Sequence, residues 1–336
     1  MAGPVAAADR GRVPVRAPRR EMLPYYAYRA AEAVVQVLPH RTAHRLGTVL
    51  GRTAATLWPR RFDGLRANLR RVLPDADERT LRRVVRANVG NLARCWVDVM
   101  EMGGRADEVT ARVRPGDAEH ILGPQREGRG VVLVSVHLGS WQLGLAGWNH
   151  RFGQIAVLAE VLRPRPLHER IVASRSRLGI QVIPIDVAAM RVSDPQSARR
   201  LGAAALRDVY RLLRGAGMVA MAIDRDLAGS GEPLTFFGAP ARIPVGVVEV
   251  AIRTGAAVVP VVLLRETEEA VGQCYPEVRY DPAAERGAEV RRVASEVLRV
   301  LERIIRQHPD HWHVLDPLWT SPAPTNGRLT EAAAEQ

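Results

Sequence analysis

The stretch Gly128-Arg-Gly-Val-Val-Leu-Val-Ser-Val-His-Leu-Gly-Ser-Trp-Gln142 decides the fold. Its continuous apolar run is rich in valine and bounded by glycines, which reads as a strand buried on both faces. Such strands belong to parallel sheets of α/β domains, where crossover helices cover both sides. His137 stands at the carboxyl end of that strand, the edge at which open α/β sheets bind ligands. A lone histidine there is equally a satisfied core residue, so its meaning depends on partners from elsewhere in the chain.

Outward from this stretch, strands alternate with helices. Strands are expected over 131–136, 155–159, 182–185, 218–223, 257–264 and 274–280, and helices over 140–149, 167–178, 198–214, 246–254 and 285–307. The alternation predicts an α/β fold with a mixed, mostly parallel sheet flanked by helices. The segment 188–197 carries Asp, Pro and Ser with little periodicity and reads as a surface loop. Upstream, apolar residues at three- and four-residue spacing predict helices over 22–38, 43–57, 62–72 and 77–102, a helical N-terminal region. The first of these sets tyrosines beside Arg29, a composition suited to a membrane interface as well as to packing on the domain. The expected organisation is a disordered basic tail over 1–20, one domain over 21–320 with a helical part at 21–110 and an α/β core at 128–320, and a disordered tail over 321–336.

The chain of 336 residues carries 48 basic and 36 acidic side chains, and its formal charge of +12 comes from arginine alone, since it contains no lysine. An Arg-rich composition accounts for part of that excess; the rest favours an anionic partner such as phospholipid headgroups or a phosphorylated acyl carrier. The arginines are spread along the chain without a helix-turn-helix, zinc-finger or RNA-recognition signature, which argues against nucleic acid. Cys95 and Cys274 lie far apart and fit neither a disulfide scaffold nor a metal-ligand spacing, so a reduced, cytoplasmic setting is expected. The uncharged run 130–150 has the length of a membrane span. Its β-branched first half, its polar side chains and its internal glycines suit a strand turning into a helix instead.

Three segments end strands at one edge of the expected sheet: His137 with its turn, Glu160 to Arg163, and Asp224-Arg225-Asp226. Such a convergence of polar residues suggests a site. A carboxylate beside His137 would fix the imidazole tautomer and raise its basicity toward an alcohol, and Asp224 is the candidate. Arg163, Arg225 and Arg242 offer forked donors for a phosphate or carboxylate.

At this point the residues resemble a family. His137-Leu-Gly-Ser-Trp-Gln142, Ala159-Glu-Val-Leu-Arg-Pro164, Ala222-Ile-Asp-Arg-Asp-Leu227, Phe236-Phe-Gly238, Arg242-Ile-Pro-Val-Gly246, Arg253-Thr-Gly-Ala256 and His308-Pro-Asp-His-Trp312 look, in this order, like the bacterial lysophospholipid acyltransferases. That family includes the lipid A late acyltransferases and the phosphatidylinositol mannoside acyltransferases. The resemblance implies a glycerolipid acyltransferase-like fold and a peripheral enzyme on the cytoplasmic face of the cell membrane, with no cofactor and no metal. It would move a fatty acyl group from acyl-CoA or acyl carrier protein to a hydroxyl of a glycolipid or lysolipid acceptor. His137 would be general base with Asp224 orienting it, while Trp141, Glu160, Arg163, Arg225, Asp226 and Arg242 would contact substrate.

The family pattern places Asp or Glu four residues beyond the histidine's neighbour, and here that position holds Gln142. An amide oxygen can accept an imidazole N–H and orient the ring, but it cannot stabilise imidazolium as an anion does. Two further readings therefore stand beside the enzyme: an impaired family member acting as a peripheral lipid-binding protein, and a glycosyltransferase using Asp224 and Asp226 as an Asp-x-Asp cation site.

Overall fold

A computed structural model of the chain describes residues 20–319 apart from 227–228 and 266–268. The tails expected over 1–20 and 321–336 lie outside the described residues, Arg20 excepted. Four helices open the structure, α1 (Leu23–Val37), α2 (His40–Leu57), α3 (Asp63–Val72) and α4 (Glu78–Glu101), followed by α5 (Ala106–Thr110), β1 (Val113–Pro115) and α6 (Glu119–Arg126). The α/β part then runs β2 (Val131–Ser135), α7 (Trp141–Phe152), β3 (Ile155–Glu160), α8 (Arg165–Arg177), β4 (Gln181–Ile185), α9 (Val187–Val192), α10 (Pro195–Arg214) and β5 (Met218–Ala222). It closes with β6 (Glu232–Phe236), β7 (Ala239–Ile243), α11 (Gly246–Thr254), β8 (Ala257–Arg265), β9 (Ala270–Cys274) and α12 (Arg286–Gln307).

Seven strands form one sheet in the order β1-β9-β8-β2-β5-β3-β4, and only the β8–β9 pairing is antiparallel. The sheet is thus mixed and mostly parallel, and β2 lies at its centre. Val132 and Val134 point into a core shared with Val248 of α11 and Val293, Val297 and Leu301 of α12. Val131 and Leu133 point into a second core with Leu143, Leu145 and Trp148 of α7. Both faces of β2 are therefore dry, which is why its sequence does not alternate. The uncharged run 130–150 is this central strand plus α7. No helix among the described residues is long and apolar enough to cross a membrane.

Two expectations need correction. The segment 188–197 is not a loop: it falls in α9 and the start of α10, because Asp186 caps α9 by accepting from the Ala189 N–H and Pro195 opens the next helix. The strand expected over 274–280 lies earlier, at Ala270–Cys274, where it pairs antiparallel with β8. Beyond it, only single bonds such as Tyr275 N–H to Pro260 O tie the chain to β8, since the intervening Pro276 has no N–H to give. The β6–β7 hairpin was not expected either, although Phe237 and Gly238 turn it with φ of 48° and 73°, the two successive positive values of a type I′ turn.

Helix α2 packs on α4 closely enough that a side chain at Gly51 would strike the Val89 carbonyl at 2.5 Å. One end of this contact holds a polar cluster. Fully buried Glu101 meets His40 Nδ1 at 2.8 Å and His44 Nε2 at 3.3 Å, with Arg105 at 3.6 Å. Burial alone would raise the Glu101 carboxyl, but the hydrogen bonds and charge of His40 and His44 outweigh it and bring the pKa from 4.5 down to about 2. Burial also holds the His44 imidazole below its ordinary value of 6.5. Both groups bind fewer protons folded than unfolded in acid, so they favour the unfolded chain increasingly as pH falls. The expected result is a melting temperature that starts to fall below pH 6.5 and falls most steeply between 4.5 and 2. Glu101→Gln should flatten that lower limb; an unchanged acid profile would remove Glu101 as its source.

Candidate active site

The dyad grows out of the sheet's centre. Strands β2 and β5 are parallel neighbours in register from Val131 opposite Met218 to Ser135 opposite Ala222, so the residues following each emerge at the same edge. That register brings His137 to Asp224. The His137 ring donates from Nδ1 to Asp224 Oδ1 at 2.7 Å, and the His137 backbone N–H donates to Oδ2 at 2.8 Å. The Trp312 indole N–H also donates to Oδ2, at 2.9 Å. Asp224 is fully buried, which would raise its pKa, but the adjacent His137 and these three hydrogen bonds outweigh burial and hold it below the ordinary carboxylate range. An anionic Asp224 fixes the proton on Nδ1 and leaves Nε2 as the basic nitrogen. No hydrogen bond among the described residues occupies Nε2.

The turn after His137 requires Gly139. Its φ is +66°, and a side chain there would meet the Leu263 carbonyl at 1.8 Å. The Gly139 N–H donates to His311 O and the His313 N–H to His137 O, so a segment from the far end of the chain lies antiparallel along the turn. Three asparagines of α3 and α4 hold that segment. Asn88 donates to the Pro309 and Trp312 carbonyls and accepts from His313 Nδ1, Asn91 donates to Asp310, and Asn68 donates to Val314 and Asp316. Burial pushes the His313 imidazole down to about 3, with like charge from His311 and His137 adding to it, so this second histidine beside the dyad stays neutral at physiological pH.

His137 lines a cavity of about 710 Å³, walled largely by apolar side chains such as Trp96, Val99, Leu145, Trp148 and Val157. Trp141, Gln142, Glu160, Arg225 and Asp226 line the same cavity. Trp141 stands edge-on to the His137 ring with centroids 6.2 Å apart. Arg225 bonds Asp316 at 3.3 Å. Asp226 organises its own loop, accepting from the Ser230 and Gly231 N–H groups and from Arg242 Nε, while Arg242 also donates to Gly229 O. Arg242 and Arg163 are not among the residues that line the cavity, and Arg163 is exposed and paired with Asp186 at 2.9 Å. Gln142 does not bond His137: its Oε1 accepts from Arg175 Nε at 3.1 Å and Nη2 at 2.9 Å. The imidazole's orienting partner is Asp224, and the amide at 142 serves a guanidinium instead.

The residues from 13 to 321 match the bacterial lipid A biosynthesis acyltransferase family. The chain belongs to that family. Among its relatives, the phosphatidylinositol mannoside acyltransferase of Mycolicibacterium smegmatis is 27% identical over 267 residues, covering 76% of this chain and 78% of the relative. The enzyme of the same description from Mycobacterium tuberculosis is 28% identical over 258 residues, covering 76% of each chain. The protein is accordingly an O-acyltransferase of the lipid A acyltransferase family, with the α/β fold and helical N-terminal region expected of the resemblance.

Sequence reasoning missed four residues of this acyltransferase's site: Arg175, Trp312, His313 and Asn88. A run as dense in reactive side chains as His308-Pro-Asp-His-Trp-His313 was a signal for the second and third. Arg175 and Asn88 had none, because each sits on an amphipathic helix with ordinary spacing.

Proposed function

We propose that the chain transfers a fatty acyl group from an acyl-CoA or acyl carrier protein thioester to a hydroxyl of a membrane glycolipid, with His137 as general base. The carrying observation is the 2.7 Å His137–Asp224 bond, which leaves Nε2 unoccupied on a largely apolar cavity of about 710 Å³. Nε2 takes the acceptor's hydroxyl proton as the oxygen attacks the thioester carbonyl. The tetrahedral intermediate collapses with loss of the thiolate, and the imidazolium returns its proton to that sulfur. Asp224 stabilises the imidazolium in between without itself taking a proton. The relatives' description as phosphatidylinositol mannoside acyltransferases supports a glycolipid of that type as acceptor. The direct test is acyl transfer from radiolabelled long-chain acyl-CoA to phosphatidylinositol mannosides; lipid binding without transfer to any hydroxylated lipid would instead favour the lipid-binding reading.

An Asp-x-Asp cation site is disfavoured by the commitments of both carboxylates. Asp224 is buried against His137 and Trp312, and Asp226 is spent on loop N–H groups and Arg242. Acyl transfer should persist undiminished in excess EDTA, whereas a metal-dependent glycosyl transfer would stop.

Action at a membrane is supported by α1 and α2. Leu23, Tyr26, Val34 and Val37 of α1 and Leu46, Val49, Leu50 and Leu57 of α2 are exposed, as is Trp58. From 33 to 62 the chain holds five arginines and no acidic residue. Exposed apolar side chains interspersed in sequence with arginines suit insertion at an anionic interface. The protein should float with vesicles containing anionic phospholipid, and Leu50→Asp with Trp58→Asp should leave it in the buffer. Equal partition onto neutral and anionic vesicles would count against this surface.

A further inference from the structure

The cavity contains a buried positive charge that forms no ion pair among the described residues. Arg175 of α8 is 7% exposed and lines the cavity. Its guanidinium lies 5.4 Å above the Trp141 ring and donates twice to the Gln142 oxygen. No carboxylate pairs with it among the described residues. The neighbouring acid on α1, Glu32, is taken by Arg170 at 2.6 Å and Arg29 at 3.6 Å. Burial lowers the Arg175 pKa to about 10, so the group remains charged at physiological pH.

A buried cation is unfavourable unless an anion faces it. Had position 142 carried the acid of the family pattern, that acid would have met Arg175 where the amide oxygen now sits, and the two charges would have cancelled. The amide keeps the guanidinium's orientation and leaves its charge in place. Of five N–H donors, Nε and one on Nη2 are directed at Gln142, and Nη1 makes no hydrogen bond among the described residues. We propose that Arg175, held by Gln142 and stacked on Trp141, binds a phosphate group that a ligand carries into the cavity. The forked donors match the oxygens of a phosphate monoester or diester. The inference rests on the acyl-transfer reading only for which ligand brings the phosphate, since both a thioester donor and a phospholipid-derived acceptor contain one.

The test is titration calorimetry on the full chain with inorganic phosphate, coenzyme A and glycerophosphoinositol, comparing the native protein with Gln142→Glu and Arg175→Gln. Gln142→Glu supplies the missing counter-charge with little change of shape, so it keeps the test open if Arg175→Gln fails to fold. Phosphate affinity should fall by about tenfold or more in either variant, the loss of one charge-assisted contact. Coenzyme A weakened in parallel would assign the site to the donor, and glycerophosphoinositol weakened in parallel would assign it to the acceptor. Native affinities equal to those of Gln142→Glu for all three ligands, or no binding of any of them, would overturn the inference. Calorimetry reads binding without turnover, so a native protein that takes phosphate yet transfers no acyl group would sink the proposed reaction and leave this site standing.

Discussion

His137→Ala should lower acyl transfer by about three to four orders of magnitude, and Asp224→Asn should approach the same loss. The first removes the imidazole that Asp224 orients and whose Nε2 is left unbonded at the cavity. The second is nearly isosteric, and its effect follows from donor counting. Both Asp224 oxygens receive N–H donors, one from the His137 ring and two on Oδ2 from the His137 backbone and the Trp312 indole. An amide turns one of those acceptors into a donor, so at least one N–H is left facing another in a buried site, at about 1–3 kcal/mol. If the amide nitrogen faces the ring, His137 flips its proton to Nε2 and loses its basic nitrogen toward the acceptor. Initial rates with a long-chain acyl-CoA decide the matter, with melting curves to establish folding. Either variant retaining more than a tenth of native turnover would remove the dyad from the mechanism.

Asn88→Ala should reduce both stability and turnover although the side chain touches no substrate. Asn88 is fully buried and makes three hydrogen bonds to the segment 309–313, at 3.0, 2.8 and 3.0 Å. Truncation leaves two carbonyls and one imidazole N–H to find other partners, a loss on the order of 3 kcal/mol. For a chain of this size that corresponds to roughly 4–5 °C in melting temperature. The Trp312 carbonyl is one of the orphaned groups, so the indole that anchors Asp224 Oδ2 loses its tether, and kcat should fall more than KM rises. Asn91→Ala, which releases only the more accessible Asp310, provides the comparison and should cost less on both measures. Equal effects from the two asparagines would contradict a clamp centred on Trp312.

The sheet was legible because its central strands carry their burial in the sequence. A run such as Val131 to Val134, with both faces dry, has few other homes. The convergence of His137 and Asp224 was legible for a related reason: parallel neighbours deliver their carboxyl ends to one edge, so polar residues just past two apolar runs become candidates together. Gln142 was misjudged because the spacing gives its place on the helix without revealing what stands across the cavity, and Arg175 lies 33 residues away on another helix. The asparagine clamp was hidden for the same cause at longer range, its bonds spanning 219 to 250 residues. Segment 188–197 was misread because its Pro195 opens a helix instead of interrupting one, and the cap that starts α9, Asp186, lies just before the segment.

The anchoring of Asp224 by Trp312 carries a consequence for biosynthesis. Synthesis runs from the N-terminus, so His137, Asp224 and the asparagines of α3 and α4 all leave the ribosome before the indole that completes their arrangement. A nascent chain can assemble the parallel strands β2 and β5 and still lack the donor that fixes the carboxylate. Completion of the His137–Asp224–Trp312 arrangement is therefore tied to the emergence of Trp312, and a chain interrupted before it would leave Asp224 Oδ2 without its indole donor.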